Sequence, residues 1–252
     1  MILYMRTLAA RQRSSRADRH LAYFLTFNAG AANAGGFMAV KQYTSHMTGI
    51  ISAMADNTVL GDTSLVLAGL GAFVAFVSGA ACSAILVNWG RRMNLHGEYA
   101  LPLLLEALLL TCFGLFGGYL QLQTWLIVPA TVILLCFIMG LQNAIITKLS
   151  QSRIRTTHMT GLVTDMGIEI GKLLYWNIAD SDANRPPVKA DREKLALLTS
   201  LVCLFFSGGV IGAVAFRSIG FSAALFLAML VLLLAIVPVF DDLKALVRRY
   251  RA

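Results

Sequence analysis

The chain has 252 residues, of which 58% are apolar and only 13% charged, about half the charged share usual in soluble domains. Mean hydropathy is +0.71 and the formal net charge is +8. A soluble core of this size cannot bury so much apolar surface, which excludes an ordinary cytosolic domain, a disordered chain and a nucleic-acid module.

Residues 1–20 form a basic tail carrying Arg6, Arg11, Arg13, Arg16 and Arg19. An apolar run over 21–40 follows, near the length that crosses a ~30 Å hydrocarbon core. Its opening stretch, 21–27, is barely long enough for the core of a cleaved leader, so the run is read as a retained span. Asn28 and Asn33 lie in it, beside the small residues Gly30, Ala31, Ala32, Ala34, Gly35 and Gly36. Such composition permits close helix crossing, and also a break in the helix.

Lys41 and the segment Thr44-Ser45-His46-Met47-Thr48-Gly49 come next, then a helix-compatible stretch to Leu60. A second span covers 65–87 and ends at Arg91 and Arg92. A third, 101–120, contains Glu106; an acid inside a span is a functional candidate by default. Its position close to the cytoplasmic end puts headgroup water within expected reach. The fourth span, 125–146, carries Gln142 and Asn143.

Beyond it stand Arg153, Arg155 and a second motif, Thr156-Thr157-His158-Met159-Thr160-Gly161, again before a helix-compatible stretch. There Asp165, Glu169 and Lys172 share one helix face. That face reads first as the wet side of an amphipathic cytoplasmic helix, and second as a cation or proton gate. A solvated loop over 177–194, with Arg185-Pro186-Pro187, precedes spans at 195–216 and 219–240. The tail, 241–252, carries Lys244, Arg248, Arg249 and Arg251.

Of the 21 Lys and Arg residues, all but Lys41 and Arg217 fall on one side of this arrangement. The excess marks the cytoplasmic face, so both termini are expected there. The four cysteines, Cys82, Cys112, Cys136 and Cys203, lack disulfide or zinc spacing and read as small buried hydrophobes.

The two motifs are copies at one offset. Lys41 aligns with Arg153, Ile50 with Leu162, Ser52 with Thr164 and Met54 with Met166. A downstream echo pairs Phe76-Val77-Ser78-Gly79 with Phe205-Phe206-Ser207-Gly208. Each motif follows one span and precedes two more, so the repeat unit has an odd number of spans and its copies insert in opposite senses. The expected fold is all-α: six transmembrane helices in two inverted three-helix repeats, 21–122 and 123–240, each with a short extra helix after its motif.

The span leading into Thr44–Gly49, together with Gly140-Leu141-Gln142-Asn143-Ala144 and Arg155–Gly161, resembles the YoaK-type family of bacterial membrane proteins over about residues 20–240. The resemblance implies six spans in the bacterial cytoplasmic membrane and assigns no substrate.

Physically, a helix that begins at membrane depth aims its free N–H groups at whatever lies there. Thr48, Gly49, Thr160 and Gly161 sit in such first turns; His46 and His158 can donate to an anion or carry a proton. Lys41 and Arg153 add positive charge. The expected substrate site is therefore His46, Thr48, Gly49, His158, Thr160, Gly161, Lys41 and Arg153, suited to a small anion or carboxylate, with Glu106, Asp165 and Glu169 as gating or coupling groups. The competing reading makes the motifs interhelical packing alone. No enzyme signature, cofactor motif or His/Cys metal spacing is present in the sequence. The expected function is a small-solute secondary transporter or channel-like protein whose partners are the lipid bilayer and a small solute or ion, not nucleic acid. The alternative is a non-transporting scaffold or lipid-sensing module. A homodimer through the small-residue face of the first span is compatible with its composition.

Overall fold

The computed structural model describes residues 15–41, 43–95, 97–117, 124–149, 159–175 and 188–251. Among them all regular structure is helical. The order is α1 (Ser15–Val40), α2 (Met47–Leu60), α3 (Thr63–Arg92), α4 (Ala100–Phe116), α5 (Thr124–Leu149), α6 (Met159–Leu174), α7 (Arg192–Ile219), a 3₁₀ turn (Gly220–Ser222) and α8 (Ala223–Arg251). The expected C-terminal tail thus continues α8 rather than leaving it.

Local chemistry sets the boundaries. Gly61 closes α2 in the left-handed region, φ 77°, where a side chain is strained. Asp62 then caps α3 by accepting from the Leu65 N–H at 3.2 Å. Asp191 caps α7 in the same way, accepting from Lys194 N–H at 2.9 Å. Gly220, φ 62°, ends α7 and lets the chain turn into α8.

Among the described residues three stretches are long and apolar enough to cross a membrane: Thr63–Arg92, Pro129–Lys148 and Arg192–Lys244. The last has 53 residues and takes in α7, the 3₁₀ turn and most of α8. Ala100–Leu115 is apolar but shorter. These helices mark a membrane protein. Their surfaces agree, because Leu67, Ile85, Phe206, Val214 and Phe226 are all exposed, as lipid-facing residues are. Cys203 is exposed as well, against the expectation that every cysteine is buried; it sits on the outer face of α7, while Cys136 faces inward.

Three helix pairs carry the packing: α1 with α7, α3 with α5, and α4 with α8. Residue contacts give their directions. Arg19 meets Glu193 while Gly35 meets Phe216, so α1 and α7 run parallel. Gly71 faces Ile133 while Asn88 meets Lys148, so α3 and α5 are parallel too. Gly97 lies against Pro238 and Gly114 against Leu225, which makes α4 and α8 antiparallel. Gly36 faces Leu135, and the Gln142 amide reaches the Leu25 carbonyl, so α1 and α5 are antiparallel.

The two parallel crossings are built alike. In one, a Cβ on Gly30 would strike the Phe205 carbonyl, and one on Gly208 the Phe27 carbonyl. In the other, a Cβ on Gly79 would strike the Phe137 carbonyl, and one on Gly140 the Phe76 carbonyl. Each helix contributes a Phe-x-x-Gly segment: Phe27–Gly30, Phe76–Gly79, Phe137–Gly140 and Phe205–Gly208. In lipid no hydrophobic force drives helices together, so close backbone contact of this kind supplies the cohesion. Helix α5 is the inner member, with 61% of its apolar window buried against 28% for α3.

Replacing Gly79 or Gly140 by Val is expected to cost about 1–3 kcal/mol or more, because backbone rather than a flexible side chain is in the way. Gly167→Ala, where nothing lies within 4 Å, is expected to be neutral or stabilising by up to about 1 kcal/mol. Thermal unfolding of the purified variants in one detergent measures both. Equal melting of Gly140→Val and the parent would refute the backbone-contact account.

Candidate functional site

The first motif is a strap that folds back along the end of α1. Tyr43 stacks on Phe37 with ring centroids 4.8 Å apart. Thr44 is fully buried next to Gly36, where a Cβ would lie 3.3 Å from its hydroxyl oxygen. The Ser45 hydroxyl donates to Asn33 Oδ1 at 2.8 Å. Thr44 and Ser45 therefore spend their side chains on packing.

His46 occupies the N-cap position of α2 without making a side-chain cap. Its ring lies over the first turn, so a Cβ at Gly49 would come within 2.7 Å of Nδ1. Gly49 is thus the space that lets the imidazole fold down. His46 and Thr48 are both exposed. Lys41 is exposed with a left-handed backbone, φ 56°, and its ammonium sits 5.9 Å from the Phe37 ring centroid. Helix α2 is seated by Ile50, buried with Ala72, Ala75 and Cys136 between α3 and α5.

Arg153 and His158 lie outside the described residues. Thr160 and Gly161 stand in the first turn of α6, as Thr48 and Gly49 do in α2; Thr160 is exposed and Gly161 half-buried. Leu162, the counterpart of Ile50, is likewise buried.

The acidic face of α6 differs from a freely solvated one. Glu169 is only 2% exposed. It accepts from the Asp191 N–H at 2.9 Å and from Lys172 Nζ at 3.0 Å. Lys194 adds ion pairs to Glu169 at 3.6 Å and to Asp165 at 3.4 Å. The N-terminus of α7 closes over this face, and sequence periodicity is blind to that neighbour. The Asp191 N–H, then the Lys172 ammonium, hold the Glu169 carboxyl below the usual carboxylate range.

A separate polar cluster lies where α1, α4 and α5 meet. Glu106 is fully buried, contrary to the expectation that headgroup water reaches it, because α1 and α5 cover it from both sides. Its Oε1 accepts from Asn28 Nδ2 at 3.1 Å and from Gln142 Nε2 at 2.9 Å. Asn28 and Gln142 are 2% and 0% exposed. Among the described residues Glu106 Oε2, Asn28 Oδ1 and Gln142 Oε1 have no hydrogen-bond partner. Neither Lys41 nor His46 is hydrogen-bonded to this cluster, so the expected coupling acid and the first motif are distinct centres.

Sequence reasoning passed over one more buried acid pair. Glu98, 4% exposed, is held by both Arg91 Nε (2.8 Å) and Arg91 Nη2 (3.2 Å). Asp242, 6% exposed, accepts from the Gly97 N–H at 2.9 Å. Together they clamp the α3–α4 turn to α8. The available signal was two acids at the ends of apolar runs, which looks the same as an ordinary wet terminus.

A family model described as "Protein of unknown function (DUF1275)" matches residues 21–237. The chain belongs to that family, and the match, which takes in both motifs, is consistent with the YoaK-type resemblance. No curated protein and no solved structure matches the chain.

Because its folded pKa is depressed, Glu169 stabilises the α6–α7 contact above the ordinary carboxylate pKa of about 4.3, and the contribution is lost as pH falls through the lowered folded value. The hydrogen-exchange protection of α6 amides, taken relative to the intrinsic rate at each pH, is expected to fall over that acid window. Glu169→Gln should already exchange faster at pH 7. An acid response of the same size in Glu169→Gln would assign it to another group.

Proposed function

We propose that this member of the DUF1275 family is a small secondary transporter or channel-like protein of the bacterial cytoplasmic membrane. It has six spans, α1, α3, α4, α5, α7 and α8, in two inverted halves, with both termini cytoplasmic. Several features support this topology. The antiparallel α1 and α5 open the two halves, and each packs in parallel on a helix of the opposite half. The Phe-x-x-Gly crossings, the Asp62 and Asp191 caps and the short helices α2 and α6 recur in matching order. The Lys/Arg excess orients the whole.

The observation that carries the functional reading is the Glu106 cluster. A membrane span does not keep a fully buried carboxylate and two amides at small cost; such groups mark ion or substrate pathways. This one stands where the opening helices of both halves meet, the usual location of transporter sites.

The cargo reading rests on the motifs. Helix α2 begins with no side-chain cap, so beyond the Met47 N–H, which donates to the Ser45 carbonyl, its first-turn N–H groups and the His46 imidazole remain available to a ligand. With Lys41 on the near side and Arg153 in the second copy, the chemistry suits a small anion or carboxylate. His46, Thr48, Gly49, His158, Thr160 and Gly161 then contact cargo, while Glu106, Asp165 and Glu169 serve gating or coupling. The scaffold or lipid-sensing alternative draws support from the strap itself, since Thr44 and Ser45 already have packing duties.

Reconstituted in liposomes, the protein is expected to take up at least one labelled small anion or carboxylate against empty vesicles. His46→Ala/His158→Ala should lower that flux about tenfold or more. Unchanged flux in the double variant would remove the motifs from the site. No flux across an anion and carboxylate panel, with the protein correctly inserted, would favour the scaffold.

A further inference from the structure

We propose that Glu106, Asn28 and Gln142 form a binding site for one monovalent metal cation of the alkali series. As the coupling ion of the transporter the site rests on the reading above; as a binding site it stands on the cluster alone.

Both amides turn their NH₂ groups to the same carboxylate oxygen, Oε1. Three oxygens of these linked side chains are left without a donor: Glu106 Oε2, Asn28 Oδ1 and Gln142 Oε1. All three belong to side chains that meet at one atom, Oε1, in a single buried cluster. Rotating either amide does not help, because it would set a carbonyl against the carboxylate. Among the described residues no Lys, Arg or His is paired with Glu106, so its charge has no protein counterpart.

Each candidate occupant meets a different part of that demand. A water donates to two of the oxygens and leaves the charge standing. A proton on Oε2 cancels the charge and supplies one donor for the two amide oxygens. A metal cation accepts lone pairs from all three and cancels the charge when it is monovalent. One carboxylate with two neutral carbonyls is a hard oxygen set of net charge −1, which suits a single positive charge and underbinds a divalent ion. The sequence offered no metal site because His/Cys spacing is blind to a centre made of oxygens from separate helices.

The test is a melting series on the full-length purified protein at fixed pH and ionic strength. NaCl, LiCl and KCl are each exchanged for N-methylglucamine chloride. At least one alkali ion is expected to raise Tm saturably by a few degrees, as ligands that bind only the folded state do. Glu106→Gln should abolish the dependence. Asn28→Ala and Gln142→Ala should raise the half-saturating concentration about tenfold or more. Equal melting of the parent protein in all four salts overturns the site, whether or not the variants fold. So does a response to pH alone, which would assign the cluster to a proton, and so does an ion effect that persists in Glu106→Gln. No step measures flux. A cation-dependent melt with no transport therefore overturns the transporter reading and leaves the site, and transport with a cation-independent melt does the reverse.

Discussion

Backbone contact at glycine is the constraint on which the rest of this molecule depends. At Gly30 and Gly208, and again at Gly79 and Gly140, there is no room for a single Cβ. Apolar side chains gain nothing by leaving lipid for a protein interior of equal polarity, so helices cohere through close van der Waals approach and interhelical hydrogen bonds. Two such crossings tie α1 to α7 and α3 to α5. With those pairs in place, α4 packs on α8, and α5 is more enclosed than α3.

That enclosure makes the polar cluster consequential. Gln142 is on α5, Asn28 on α1 and Glu106 on α4. Any loosening of the crossings would admit water or lipid headgroups to Glu106 and relieve it. The glycines and the cluster are therefore linked: tight helix contact creates an interior in which an unneutralised carboxylate is costly. The short helices stand apart from this interior. Helix α2 rests on α3 and α5 through Ile50, and α6 is tethered to α7 through Glu169 and its ionic partners. The two differ in that tether, since Asn57 stands in α2 where Glu169 stands in α6 and only returns a hydrogen bond to Ala53. The two short helices thus carry unlike side-chain chemistry.

Membrane residence, the helical class and the recurring motif were legible from composition and pattern alone, because each is local or additive along the chain. Hydropathy counts lipid-facing and buried residues alike, and the motif copies need only an alignment of the chain with itself. What could not be read was the partner of each polar group. Glu106 next to apolar neighbours looks the same in sequence whether it reaches headgroup water or lies sealed between α1 and α5. Glu169 on an amphipathic helix looks solvated until α7 arrives. Glu98 and Asp242 look like terminal charges until the α3–α4 turn meets α8. In each case the deciding contact spans helices far apart in the chain. By itself, then, the sequence determined the helical membrane class and the repeated motif. Tertiary structure alone decided which carboxylates are buried and what faces them, because burial belongs to the assembled helices and not to any one of them.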